Sequence, residues 1–304
     1  MTDTSGKSWH FGLLGYPLGH SFSPHLQTAA LLGTGLAGKY HLYSLPPEEV
    51  NSIIDLLNLV RSGEIDGLNV TIPYKQVVLP HLDELTSTAA GIGAVNTIFA
   101  RAGVLVGDNT DAPAFLADLV SKTGWRRDDP YPATGKLPVA LVLGAGGAAR
   151  AVVYALGQAG WHVWVVARRI EQGRELLFSL RHHISQPMHT ITFDGLPVLC
   201  AAVAPKFDLL VNATPVGMSP EVTHSPWPKN LDYPVNTYVY DLVYNPPETA
   251  FLRAASASGL RATNGLGMLV EQAALAFEHW TGRTAPRGAM HAAAIRITDG
   301  DAHA

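Results

Sequence analysis

The chain has 304 residues, and at ~150 residues per domain it is long enough for about two domains, each closing a hydrophobic core. Hydrophobic residues make up 47% and charged residues 15%, a balance that excludes an intrinsically disordered chain. Lys plus Arg number 21 against 25 Asp plus Glu, a net charge of −4 with no long basic run, so nucleic acid is not expected as a partner. Cys200 is the only cysteine, which excludes a disulfide framework and any cysteine-built metal centre, and a reducing cytoplasm is expected. The stretch between Lys7 and Lys39 lacks Asp, Glu, Lys and Arg but carries His20, Ser21, Ser23, Pro24, His25 and Gln27, so it does not read as a membrane span. The polar first seven residues lead into too few apolar ones for a secretion signal.

In chain order, residues 11–14 read as a strand, 24–32 as a helix and 40–45 as a second strand, the rhythm of an α/β domain. Val50, Ile53, Ile54, Leu57 and Val60 predict one apolar helical stripe before the strand-like segment 67–72. Residues 128–136 are polar and proline-rich, and a domain boundary is placed there. A β-branched strand at 139–143 then runs into a glycine-rich turn and a helix reaching about residue 157. Strands follow at 161–167, 207–212 and 239–243, and a helix at 268–280. The reading is α/β throughout: one domain at 1–130 joined by a returning C-terminal segment at 265–304, and a Rossmann-type doubly wound domain at 131–264.

Gly144, Gly146 and Ala149 match the dinucleotide-binding pattern G-x-G-x-x-G/A between a strand and a helix, with Ala145, Gly147 and Ala148 completing the loop. The first glycine permits the tight turn, the second lets backbone approach a pyrophosphate, and helix N–H groups face the anion. A glycine turn with no ligand is the plain alternative. Where an NAD-binding fold places a carboxylate for the ribose, this chain has Arg168 and Arg169, which suit a 2′-phosphate. NADP is therefore the expected cofactor and NAD the second choice, although two arginines can also simply solvate a loop.

Ser23 reads as a helix N-cap with Pro24 at the first helical position, a job that leaves Ser21 unexplained. Two hydroxyls at a helix start can receive a carboxylate. Taken alone, Lys75 reads as a solvated surface lysine and Asp111 as a helix cap. The 13 histidines contain no HExxH or comparable helical ligand pair, and no Gly-x-Ser-x-Gly elbow occurs, so neither a metal site nor a serine hydrolase is expected.

Eight segments, in order, resemble the shikimate dehydrogenase family: 15–24, 69–75 (ending at Lys75), 93–97 (with Asn96), 107–111 (ending at Asp111), 144–150, 212–218, 241–244 and 265–272. The resemblance implies reversible hydride transfer between NADPH and 3-dehydroshikimate to give shikimate, in aromatic amino-acid (chorismate) biosynthesis. It implies Lys75 and Asp111 as the catalytic pair, Ser21, Ser23 and Tyr244 on the substrate carboxylate, and Thr71, Asn96 and Gln272 on ring hydroxyls. Thr214, Leu242 and Gly265 join the glycine loop and the arginines on the cofactor side. The first domain is then the substrate domain, the site is expected in an interdomain cleft that closes on binding, and the chain is expected as a monomer or homodimer. Two departures stand out: Gln27-Thr28 where the family usually has His-Asn, and Ala112-Pro113-Ala114 where it usually has Gly-x-Gly. The family also holds quinate/shikimate dehydrogenases, and a noncatalytic NADP-binding regulatory paralogue is the reading from another class.

Overall fold

Strands β1 (Trp9–Gly15), β2 (Gly38–Ser44) and β3 (Gly67–Val70) are joined by helices α1 (Ser23–Thr34) and α2 (Val50–Ser62), as the alternation of apolar runs requires. The computed structural model describes residues 7–125, 137–202, 207–298 and 300, and the expected linker at 128–136 lies outside the described residues. Both strand connections leave neighbouring strands parallel, with Phe11 paired to Tyr40 on one side and to Gly67 on the other. Helix α2 presents Ile53, Leu56, Leu57 and Val60 to the core, while Ile54 of the expected stripe is 37% exposed. The stripe is turned by one position because Leu56, rather than Ile54, lies on the arc that Ile53, Leu57 and Val60 define. Gly63, at φ 82°, ends the helix.

After β4 (Glu84–Leu85) and α3 (Ser87–Ile92), β5 (Thr97–Arg101) and β6 (Val104–Asp108) form an antiparallel hairpin. Its turn is Ala102-Gly103, both at positive φ as a two-residue hairpin loop demands. The first sheet thus runs β2-β1-β3-β5-β6-β4. It is mixed rather than purely parallel, and the hairpin carries Thr97 and Asp108 to opposite each other.

Helix α4 (Asp111–Thr123) is followed by β7 (Val139–Leu143), α5 (Gly147–Gln158), β8 (His162–Ala167), α6 (Ile170–Leu180), β9 (Met188–Thr192) and α7 (Leu196–Ala202). Then come β10 (Leu209–Asn212), β11 (Tyr238–Asp241), α8 (Ala250–Ala257), β12 (Ala262–Asn264), α9 (Leu266–Thr281) and α10 (Arg287–Thr298). The second sheet is all parallel in the order β12-β11-β10-β7-β8-β9, which read from β9 is the doubly wound 3-2-1-4-5-6 arrangement. Its direction of winding reverses between β7 and β10, where such sheets take their ligands. The core of this sheet is built on Leu141, Leu143, Val166, Leu210 and Val239, the continuous β-branched and leucine runs expected of strands covered on both faces.

By internal contacts the chain divides into Met1–Ala114 with Leu269–Ala304, and Phe115–Met268. Helices α4 and α9 each contribute to both units. Among the described residues no helix is long and apolar enough to cross a membrane.

Candidate active site

The first unit gathers seven of the eight candidate substrate and catalytic residues, and four backbone bonds bring the key segments together. Strand β3 ends at Val70, whose N–H donates to the Asn96 carbonyl (2.8 Å). Thr71 leaves the strand with its N–H on Leu14 O and its carbonyl accepting from Tyr74 N–H, both at 2.8 Å. The resulting turn delivers Lys75, whose own carbonyl accepts from Val95 N–H at 2.7 Å. Lys75 is therefore fixed beside Asn96 before its side chain makes any contact.

That side chain is not the solvated surface lysine it resembles in isolation. Its Nζ donates to Oδ2 of Asp111, which is 5% exposed, in a short ion pair. Oδ1 of the same carboxylate accepts from Nδ2 of Asn96 at 2.9 Å. Asp111 is likewise not the cap expected of it. It is the first residue of α4, and the capping oxygen is Oδ1 of Asn109, which accepts from the N–H groups of Asp111 (3.1 Å) and Ala112 (3.3 Å). The cap sits two residues earlier, so the Asp111 carboxylate is left for Lys75 and Asn96.

Asn109 is held in turn by Asp108, whose Oδ1 accepts from its N–H at 2.7 Å, while its own Nδ2 donates to the Ala94 carbonyl. Burial pushes the Asp108 carboxyl up, but hydrogen bonds from His279, Thr86 and the Asn109 N–H outweigh it and hold the group below its ordinary range. The sequence reading does not anticipate the hydrogen-bonding set of Asn69, Thr97, Asn109 and Thr110. Asn109 carries a signal, an Asx residue two positions before a helix whose first residue is acidic. Asn69 and Thr97 meet only because β3 pairs with β5.

Gln272 lies on α9, its Nε2 donating to Leu269 O and its main-chain carbonyl accepting from Thr110 Oγ1 at 3.1 Å. At the start of α1 the expected cap is corrected: the N-cap position is Phe22 with no side-chain bond, and Ser21 Oγ accepts from Ser23 N–H at 3.3 Å. Pro24 does occupy the first turn. The Ser23 hydroxyl is thus not spent on capping, because the helix begins one residue earlier than its proline suggests. Of the two departures, Gln27 is fully buried with Nε2 on Ala273 O (3.0 Å) and Oε1 without a partner among the described residues, whereas Thr28 is exposed on the face of α1 beside α10. Ala112 and Ala114 are buried in α4.

The second unit holds the cofactor-side candidates and Tyr244, which follows β11 and so stands in a different unit from Ser21 and Ser23. Gly144, at φ +114°, turns the chain after β7, and a side chain there would meet Ala213 O at 3.0 Å and Thr214 Cγ2 at 3.1 Å. Gly146 is different: it is exposed, and a side chain there would meet nothing within 4 Å. The fold does not need that glycine; an approaching phosphate does. Gly147 opens α5 with no side-chain cap, which leaves the first N–H groups of the helix, those of Gly147 and Ala148, without a capping oxygen.

Arg168 and Arg169 directly follow β8, both exposed and neither in an ion pair among the described residues. Thr214 follows β10 and is pinned through N–H and Oγ1 to Asn212 Oδ1 (3.0 and 2.7 Å). Leu242 N–H donates to Asn212 O, and Gly265 N–H donates to Val243 O. Asp241, fully buried, accepts from Asn212, Thr249 and the Val243 N–H. Its burial outweighs those bonds and pushes the carboxyl up to about 6. The glycine loop and Thr214 therefore flank the switch point of the sheet at its carboxyl edge, with two guanidiniums at the end of the next strand. The donor set fits a dinucleotide carrying a 2′-phosphate.

Comparison with known proteins is consistent across the chain. A family model described as the shikimate dehydrogenase substrate binding domain matches residues 13–98, and one described as the shikimate 5′-dehydrogenase C-terminal domain matches residues 265–295. The chain is 39% identical over 281 residues to shikimate dehydrogenase (NADP(+)) of Shouchella clausii, covering 92% of this chain and 95% of that one. Shikimate 5-dehydrogenase of Thermus thermophilus, solved with NADP(H) and shikimate, superposes with a TM-score of 0.77 at 38% identity over 95% of this chain and 99% of that one. Quinate dehydrogenase of Corynebacterium glutamicum, solved with NAD, gives 0.81 at 30% identity over 95% and 99%.

Proposed function

The chain belongs to the shikimate dehydrogenase family, and we propose that it catalyses the reversible, NADP-dependent reduction of 3-dehydroshikimate to shikimate in aromatic amino-acid (chorismate) biosynthesis. The observation that carries the reading is the Lys75–Asp111 ion pair backed by Asn96. Reducing a ketone places negative charge on oxygen, which must be stabilised and protonated.

NADPH supplies the hydride when bound. Gly144, Ala145, Gly146, Gly147, Ala148, Thr214, Leu242 and Gly265 form its binding segment, and Arg168 with Arg169 pairs with the 2′-phosphate; NAD is the second choice. Lys75 donates toward the carbonyl oxygen, Asp111 keeps the ammonium charged and aimed, and the two handle the proton as one unit. Ser21, Ser23 and Tyr244 receive the substrate carboxylate, and Thr71, Asn96 and Gln272 its hydroxyls. A noncatalytic paralogue would have no use for a partly buried lysine–carboxylate pair, and its retention counts against that reading. The proposal places the enzyme in the cytoplasm, as a monomer or homodimer, in keeping with its lone cysteine.

Quinate is the competing substrate, since it adds a hydroxyl at the carboxylate-bearing carbon. An unpaired hydroxyl costs ~1–3 kcal/mol, about a tenfold to hundredfold preference for shikimate. Because Ser23 is not tied up as a cap, it can meet that hydroxyl, which puts the preference at the lower end. The test is kcat/KM for both acids at saturating NADP+, read as nicotinamide absorbance; quinate equal to or better than shikimate moves the chain to the quinate branch.

A further inference from the structure

We propose that Thr110 is a positioning residue that sets Asn96 and Gln272 relative to the Lys75–Asp111 pair, an inference that rests on the functional reading above. Thr110 is 1% exposed and adjacent in sequence to Asp111. Its N–H donates to Asn96 Oδ1 at 2.8 Å. Thr97 Oγ1 donates to the same oxygen at 3.0 Å. A main-chain N–H cannot reverse its role, so the Asn96 amide is locked with its NH2 end toward Asp111. That NH2 has two hydrogens: one goes to Asp111 Oδ1 and the other to Thr110 Oγ1, both at 2.9 Å.

The single hydroxyl hydrogen of Thr110 remains, and its nearer acceptor is the Gln272 main-chain carbonyl on α9 at 3.1 Å, since Asn96 Oδ1, at 3.3 Å, already accepts from the Thr110 N–H and Thr97 Oγ1. One side-chain oxygen therefore joins two substrate-side residues lying 14 and 162 positions away in sequence. Valine has the same shape and neither function. In Thr110→Val the Asn96 NH2 and the Gln272 main-chain carbonyl each lose a buried partner, and the NH2 that serves Asp111 keeps only one of its two acceptors while Oδ1 stays held by the Thr110 N–H and Thr97 Oγ1.

The experiment compares wild type, Thr110→Val and Thr110→Ser in shikimate oxidation, with Asn96→Ala alone and combined. The valine variant should lose about tenfold to hundredfold in kcat/KM for shikimate, with KM for NADP+ within about twofold of wild type. The serine variant should recover to within about threefold. The loss caused by Thr110→Val should shrink in the Asn96→Ala background, because the two act through one contact. Thr110→Ala replaces the valine variant where circular dichroism shows the latter unfolded.

A valine variant within threefold of wild type, or losses that simply multiply in the double variant, overturns the inference while leaving the functional reading intact. A wild-type chain that neither turns over shikimate nor binds it in calorimetry overturns both.

Discussion

Asn96 and Lys75 occupy opposite oxygens of one carboxylate: Nδ2 of Asn96 on Oδ1 of Asp111 at 2.9 Å, and Nζ of Lys75 on Oδ2. Both oxygens of Asp111 are committed, one of them to the ammonium. Asp111→Asn keeps the shape but removes the charge and presents an NH2 to one of two donors. It should lower shikimate turnover by roughly 10²–10⁴, the span typical of acid–base groups. Steady-state kcat with full-length protein measures it, and a loss under tenfold would separate Asp111 from the chemistry.

The two loop glycines should fail in different ways. Gly144→Ala forces a side chain into φ +114° against Ala213 O, and should lower unfolding stability by about 1–3 kcal/mol. Gly146→Val fills open space beside the α5 N-terminus, so it should leave stability unchanged and raise KM for NADP+ about tenfold or more. Denaturant unfolding paired with cofactor titration reads both; an unaltered KM for the valine variant would remove the phosphate from that loop.

Arg168→Ala should erode the preference for NADP+ over NAD+ by about tenfold to hundredfold, the worth of a charge-assisted bond to phosphate. The ratio of kcat/KM for the two cofactors is the measurement. An unchanged ratio would shift the role to Arg169 or away from both.

Asp241 titrates at about 6 in the fold, above its usual range because it is buried. A carboxyl raised on folding is bound to its proton more tightly in the folded state, so its contribution to stability is full below the unfolded value near 3.8 and lost as pH rises through about 6. Relative to Asp241→Asn, wild type should lose up to about 3 kcal/mol between pH 4 and pH 7. Urea unfolding of both proteins across that range checks the slope, and a pH-independent difference would contradict it.

Much of the second unit is legible in the sequence because its strands are buried on both faces and so read as unbroken apolar runs, and because the Gly144–Ala149 turn has a local pattern. The switch point between β7 and β10 is not, because strand alternation leaves the order of strands open and only the pairing decides it. The first unit is less legible. Its β5–β6 hairpin depends on Ala102 at positive φ, which no propensity suggests, and the partners of Asn69 and Thr97 are set by the strand pairing it creates. Ser23 and Asp111 resemble caps because either side chain is chemically able to cap; the Phe22 boundary and the Asn109 oxygen decide otherwise. Lys75 looks like a surface residue in isolation, since nothing local reveals a carboxylate 36 positions away.

Shikimate oxidation by wild type and Lys75→Ala, assayed side by side with saturating NADP+, tests the central claim most directly. Wild type should reduce NADP+ with shikimate, and Lys75→Ala should lose roughly 10²–10⁴ in kcat with a smaller change in shikimate KM. An inactive wild type, or a Lys75→Ala variant with near wild-type kcat and only a raised KM, would contradict the account.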